Sequence, residues 1–467
     1  MQKQLMHFMK NIQLKNIIFF ISFLSIISAQ ADIPYELNEK LKAYPINPAN
    51  YSIHIQEVHS SQPIVSWNSH KQRKPASVIK LLTTYSGVLA LGYDYRWETK
   101  FFHTGYIRAG VLRGDIYVKA SGDPSLSTKD IAPIVEQIKE SGIHKILGSI
   151  IIDRSIFSVA SKSNSGFDRN TYSPYNAMPD AMMFNKRKST ICITPRGRSV
   201  RIDRDIPDHS YKIVNKLKMV NGSCRRGRSW PRVNIKTNHS GRSTIFLSGR
   251  LSKRCGRRTI CKVVSMPHRA FYYALKNGLK KAGVKFEGTL KLKKVPKKAK
   301  YLFSHKSERL EKIISTIAKK SDNLMARQLM LTLGAKSFSP PSTTFKSRKA
   351  VKKILNKYHI LERGTTFIDN GSGLSRVARV TAQSFTNLLL HGASSGNASR
   401  WMNTLSIAGI DGTIRKRFKY STVYGRAWMK TGTIRGVANI IGYVEGSRYT
   451  RWWYWSMIEG LHNMEEN

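Results

Sequence analysis

"KPASVIKLLT" (residues 74–83) sets a serine and a lysine three residues apart, where a proline-bearing loop runs into an apolar segment. Residues 76–92 carry Val78, Ile79, Leu81, Leu82, Val88, Leu89 and Leu91, dense enough for a mostly buried helix, and Gly92 is a suitable stop. Positions i and i+3 share a helix face, so Lys80 can meet Ser77. A helix starting near Ser77 also aims its open N–H groups and dipole at whatever lies beside the hydroxyl. Two readings compete: a nucleophile with its base, or a helix-capping serine ahead of a surface lysine.

Two more motifs follow in order, Ser321-Asp322-Asn323 and Lys430-Thr431-Gly432, the latter continued by Thr433. The ordered set Ser-x-x-Lys, Ser-Asp-Asn, Lys-Thr-Gly carries acyl transfer through a serine. A serine hydroxyl attacks only when a neighbouring base takes its proton, and a lysine is that base only when neutral. Burial and a second cation both lower a lysine pKa, and Lys430 is the candidate second cation beside Lys80. Lys430 is also placed to hold the terminal carboxylate of a peptide, with the hydroxyls of Thr431 and Thr433. Gly432 lets the strand come close to an extended substrate. The N–H groups of Ser77 and Thr433 are the expected oxyanion hole. Ser321 is read as a proton relay or an aid to Lys80, and Asn323 as a partner of Lys80 or the substrate amide. Asp322 is read as fixing the turn. Taken singly, Ser321 reads as a helix cap and "KTGT" as a strand end with a glycine bulge.

With "GDPSLS", "PYNAMPDAMMFN", "DNGSGLSR" and "LSIAGIDGTIRKRF...GRAWMKTGTIRGVANIIGYV", the sequence resembles the exported D-alanyl-D-alanine carboxypeptidase and endopeptidase family. These are the low-molecular-mass class C penicillin-binding proteins. The resemblance implies an α/β (α+β) transpeptidase-like domain of the penicillin-binding-protein/β-lactamase kind, an antiparallel sheet with helices, split by a large β-rich insertion. The implied activity is hydrolysis of peptidoglycan stem peptides through an acyl-enzyme, with β-lactams as covalent inhibitors and no cofactor or metal. The class A relatives deacylate with a Glu-x-x-Asn motif. Here the only glutamate between Ser321 and Lys430 is Glu362, followed by "RGT". The rival readings are a related serine esterase or β-lactamase on the same fold, and a non-catalytic cationic wall-binding protein.

The N-terminus reads as a secretory signal: Lys3, Lys10 and Lys15, then "IIFFISFLSIIS", then "AQA" ending at Ala31. This predicts export to the periplasm with cleavage after Ala31. The domain expectation is a signal over 1–31, a catalytic domain over 32–100 and 296–467, and an inserted β-rich region over 101–295. Within the insert lies a basic, cysteine-containing subdomain at about 186–262. From Lys186 to Lys262 there are 22 Lys or Arg against three aspartates, and the chain carries +51 overall. In an exported protein such charge points to anionic envelope polymers rather than nucleic acid, or to a basic habit of the source. Cys192, Cys224, Cys255 and Cys261 all lie in this stretch, without the paired close spacings of a zinc site. Two disulfides are expected, with three pairings open.

Overall fold

The computed structural model describes residues 35–43, 46–160, 164–225, 229–239, 241–446 and 452–460. The expected signal lies outside the described residues. The fold is α+β. The chain divides into two compact units, one of Met1–Tyr95, Arg309–Ser339 and Thr343–Asn467, the other of Arg96–Glu308 and Pro340–Ser342. These bounds are wider than the 101–295 expected for the insert. The reason is a strand pair at the entrance: Glu98–His103 runs antiparallel to Lys300–Lys306, so both ends of the insertion are zipped into one sheet.

The first unit is built on six strands: β1 (Tyr51–Glu57), β2 (Pro63–Trp67), β3 (Ser406–Ile407), β4 (Ala427–Ile434), β5 (Val437–Glu445) and β6 (Trp452–Gly460). Their order is β3-β4-β5-β6-β1-β2, every neighbour antiparallel. Chain-distant ends thus share one sheet, with β6 paired between β5 and β1. β4 and β5 form a hairpin in which Ile434 faces Val437 across Arg435 and Gly436. Gly436 has φ +73, the left-handed conformation that two-residue hairpins demand. Ile53, Val65, Met429, Ile440 and Val444 are buried in the sheet's core, each contributing about 1.5–3 kcal/mol by leaving water.

Helices α1 (Lys80–Leu91), α2 (Leu310–Lys319) and α3 (Asn323–Phe338) belong to the same unit. Residues 80–87 of α1 and 324–335 of α3 are buried without a break. Helices buried on every side lie inside a domain, and this burial carries Lys80 into the interior, while Asn323, half-buried, opens α3.

In the second unit, successive short strands are pieces of longer strands bent along one line. The pieces are 98–103 and 106–108, 111–113 and 116–119, 145–146 and 150–153, 285–286 and 290–292. Gly105, Gly114, Gly148 and Gly288 stand at the bends. A Cβ built on Gly114 would lie 1.8 Å from the Thr104 oxygen, and one on Gly148 2.2 Å from the Gly114 oxygen. Adjacent backbones occupy the space of the missing side chains, which explains the glycine at each crease.

The basic subdomain has its own core of Ile191, Ile193, Tyr211, Ile245, Leu247 and Leu251 beneath two three-stranded sheets. One disulfide, Cys224–Cys255, joins segments 31 residues apart, while Cys192 and Cys261 are unbonded thiols. This corrects the expectation of two disulfides. Strand register decides it: Cys261 stands opposite Thr190 and Cys192 opposite Thr259. Such diagonal positions are about 7–8 Å apart, too far for a disulfide to close without moving the backbone.

The charge of this subdomain is not all surface. Arg187 is buried, Arg204 lies over Tyr211 at 4.5 Å, and Arg258 lies over Trp230 at 4.8 Å. Arg225, Lys253, Arg254 and Arg257 are exposed. Among the described residues no helix is long and apolar enough to cross a membrane, and no group of three or more His, Cys, Asp or Glu is placed to hold a metal.

Candidate active site

Ser77 lies in a 3₁₀ turn, Ala76–Ile79, that runs directly into α1. Its cap position is Pro75 and no side chain caps the turn, so Ser77 is not a capping serine. Ala76, just before it, has φ +46, a left-handed conformation that costs a non-glycine residue about 1–3 kcal/mol and persists where surrounding structure imposes it. That restraint comes from β5: Asn439 Nδ2 donates to the Lys74 and Pro75 oxygens at 3.0 and 2.7 Å. Ser77 is half-buried.

Lys80 Nζ lies 2.9 Å from Ser77 Oγ and 2.7 Å from Asn323 Oδ1, and it also donates to the Ser372 carbonyl. The residue is fully buried. Burial first, then the charge of Lys430, holds its pKa well below the ordinary lysine value; Arg327 acts in the same direction and Asp322 against it. These are the conditions under which a lysine accepts a proton from a serine.

The Ser-Asp-Asn motif occupies the break between α2 and α3. Asp322, not Ser321, caps α3, its carboxylate accepting from Met325 N at 3.0 Å. Ser321 takes φ +51 instead and accepts a hydrogen bond from Lys430 Nζ at 3.0 Å. Its role as a cap is therefore overturned, and its hydroxyl belongs to the cluster.

Lys430, Thr431, Gly432 and Thr433 lie on β4, which keeps register with β5 from Ala427 to Ile434 without a bulge. Lys430 is fully buried, and burial lowers its pKa to about 7. Its Nζ also donates to the Thr431 oxygen at 2.6 Å. Thr433 is exposed and Thr431 half-buried. A Cβ on Gly432 would stand 2.8 Å from the Pro75 oxygen and 2.9 Å from Ser77 N. The glycine is what lets the strand pass against the Ser77 N–H. Every residue expected at the site is thus brought together in the first unit.

Four contributors escaped the sequence reading. Ser372 supplies a backbone oxygen to Lys80, and Gly373 (φ +81) packs so closely that a Cβ would lie 1.9 Å from the Ala76 oxygen. Arg327, buried on α3, donates to Ser372 Oγ at 3.3 Å. Asn439 holds the Lys74–Pro75 backbone that leads into Ser77. The glycines of "DNGSGLSR" were the available signal for the first. Glu362 is bonded to His70 Nδ1 and to the Thr381 hydroxyl.

The sequence profile of the D-Ala-D-Ala carboxypeptidase 3 (S13) family matches residues 35–467. The chain belongs to this family. It is accordingly a serine-type D-Ala-D-Ala carboxypeptidase, a hydrolase, on the penicillin-binding-protein fold. The D-alanyl-D-alanine carboxypeptidase DacB of Haemophilus influenzae is 25% identical over 410 residues, covering 86% of this chain and 83% of that protein. A D-alanyl-D-alanine carboxypeptidase of an Actinomadura species is 24% identical over 430 residues, covering 88% and 79%. Among solved structures, penicillin binding protein 4 (dacB) from Haemophilus influenzae shares the fold with a TM-score of 0.75 at 24% identity, covering 90% of this chain and 92% of that one. The same protein has been crystallised with a β-lactam.

Proposed function

We propose that this family member is exported to the periplasm and hydrolyses peptidoglycan stem peptides through an ester on Ser77. The observation that carries the reading is Lys80: fully buried, beside a second lysine, with Nζ 2.9 Å from Ser77 Oγ. Ser77 Oγ attacks the carbonyl of the penultimate D-alanine while its proton passes to Lys80 Nζ. The oxyanion is met by the N–H groups of Ser77 and Thr433. The proton then reaches the departing amine from Lys80 with help from Ser321, and the C–N bond breaks. Water cleaves the ester by the same general-base route, releasing the peptide carboxylate and freeing Ser77. Lys430, Thr431 and Thr433 hold the carboxylate of the leaving residue, and Asn323 orients Lys80. A terminal D-alanine leaving is carboxypeptidase action; a cross-linked residue leaving is endopeptidase action.

A β-lactam acylates the same serine and stays, because the amine freed by ring opening remains joined to the acyl group instead of leaving, and no Glu-x-x-Asn motif between Ser321 and Lys430 offers a second deacylating base. Glu362 is engaged by His70 and Thr381 instead. Export rests on the sequence of residues 1–31 alone. The exposed arginines and lysines of the basic subdomain would hold the enzyme to anionic envelope polymers.

Intact-mass measurement after incubation with penicillin tests the chemistry. One covalent adduct, mapped to Ser77 and absent from Ser77→Ala, is expected. An unlabelled protein, or label surviving the substitution, overturns the assignment.

A further inference from the structure

We propose that residues 409–426, between β3 and β4, form a binding surface for the leaving-group side of a cross-linked wall polymer, taking a peptide-substituted glycan strand. The proposal rests on the reading of the site as a stem-peptide hydrolase and says which part of the molecule meets the polymer.

The base of this segment is tied to the catalytic strand. The Thr413 hydroxyl lies 2.9 Å from that of Thr431. Ala408 N donates to the Ala427 oxygen, and Gly425 N to the Ala408 oxygen, both at 2.9 Å. Asp411, the only acid of the segment, accepts from Ile407 N at 2.8 Å and from Lys319 Nζ at 2.5 Å. Its charge is therefore already matched.

The outer part is different. Tyr420 is fully exposed, Tyr424 50% and Ile410 52% exposed, and Arg415, Lys416 and Lys419 are exposed beside them. Tyr424 is packed against the backbone: Gly409, at φ +74, passes so close that a Cβ would lie 2.3 Å from its ring. Aromatic faces offer an apolar platform to sugar rings, and unmatched cations offer charge-assisted hydrogen bonds to stem-peptide carboxylates. Thr431 is a residue assigned to the leaving group's carboxylate, so Thr413 and the segment behind it lie on that side. A terminal D-alanine ends there. A cross-linked residue continues into a second peptide and its glycan, which is what an exposed aromatic and cationic surface fits.

The test compares substrates in one variant, Tyr420→Ala/Tyr424→Ser with Lys416→Gln and Lys419→Gln. Release of D-alanine from a small soluble acyl-D-Ala-D-Ala peptide and the penicillin acylation rate should stay within about twofold of the parent. Cleavage of purified cross-linked peptidoglycan should fall about tenfold or more. Tyr420→Ala alone, which removes a fully exposed ring, should show the same selective loss at smaller size. Polymer cleavage that is unchanged, or falls only in step with the soluble peptide, overturns the surface while leaving the hydrolase reading intact. A parent inert on both the soluble peptide and the cross-linked polymer overturns both.

Discussion

In the proposed mechanism Lys80 is neutral to take the proton of Ser77 while Lys430 is charged to hold a carboxylate, and the two share one buried site. Because the charge of Lys430 helps to lower the Lys80 pKa, Lys430→Gln should raise it. The acidic limb of the acylation rate against pH, measured with penicillin, should move to higher pH; an unmoved limb would refute the coupling. Lys430 also ties stability to pH. Its folded pKa of about 7 lies below the ordinary 10.5, so between these values the unfolded chain holds a proton that the folded chain lacks. Stability from this residue rises with pH across that window and is lost as pH falls through about 7. Lys430→Met should flatten the rise of the urea midpoint between about pH 7.5 and 9.5. Neighbouring residues of one motif should separate cleanly. Asp322→Ala loses a helix cap, about 0.5–2 kcal/mol of stability. Ser321→Ala should leave the melting temperature near the parent's and lower acylation about 10²-fold or more.

At the scale of elements, catalysis depends on how closely β4, the nucleophile turn and the 369–376 loop pass one another. Gly432→Ala would press a methyl against the Pro75 oxygen and Ser77 N, pushing β4 off the oxyanion hole. Acylation should fall about 10²–10³-fold, the cost of losing such a donor, and acylation at the parental rate would show that the strand has room. Asn439→Ala should destabilise the fold by about 1–3 kcal/mol, because it removes the hydrogen bonds to the Lys74 and Pro75 oxygens and leaves Pro75 only its bond from Val78 N. These close passages separate what the sequence showed from what it hid. Ser77, Lys80, Ser321, Asn323 and the Lys430–Thr433 strand were legible because their side-chain chemistry survives in short strings at fixed spacing. The Lys80–Ser372 contact spans 292 positions and uses a carbonyl that every residue type possesses; nothing in residue identity marks it. Ser321 was ambiguous because it and Asp322 are both good caps, and only the backbone turn at Ser321 assigns the work. The entrance pair 98–103 with 300–306 was similarly invisible, since alternation finds strands but not their partners.

Over the whole molecule, four cysteines in a basic stretch looked like two disulfides because a count carries no register. The structure has one. Thiol titration of the unfolded, unreduced protein should therefore find two free thiols, and four after reduction; none before reduction would mean that the 189–196 and 258–262 strands shift against each other. The same subdomain is the proposed tether to anionic wall polymers. Its exposed cations face three aspartates over 77 residues, so any attraction to wall polymers acts through solvent and is screened over about 8–10 Å at physiological salt. Binding to purified walls should weaken steeply as salt rises, while hydrolysis of a small soluble peptide, whose chemistry sits between buried lysines of the other unit, should change little. Neutralising Arg225, Lys253, Arg254 and Arg257 should imitate high salt. Arg258 is left in place, because it packs over Trp230 and its loss would confuse charge with packing. Wall binding equal to the parent's at low salt would remove the subdomain as a tether, leaving its charge as a feature of composition rather than of docking.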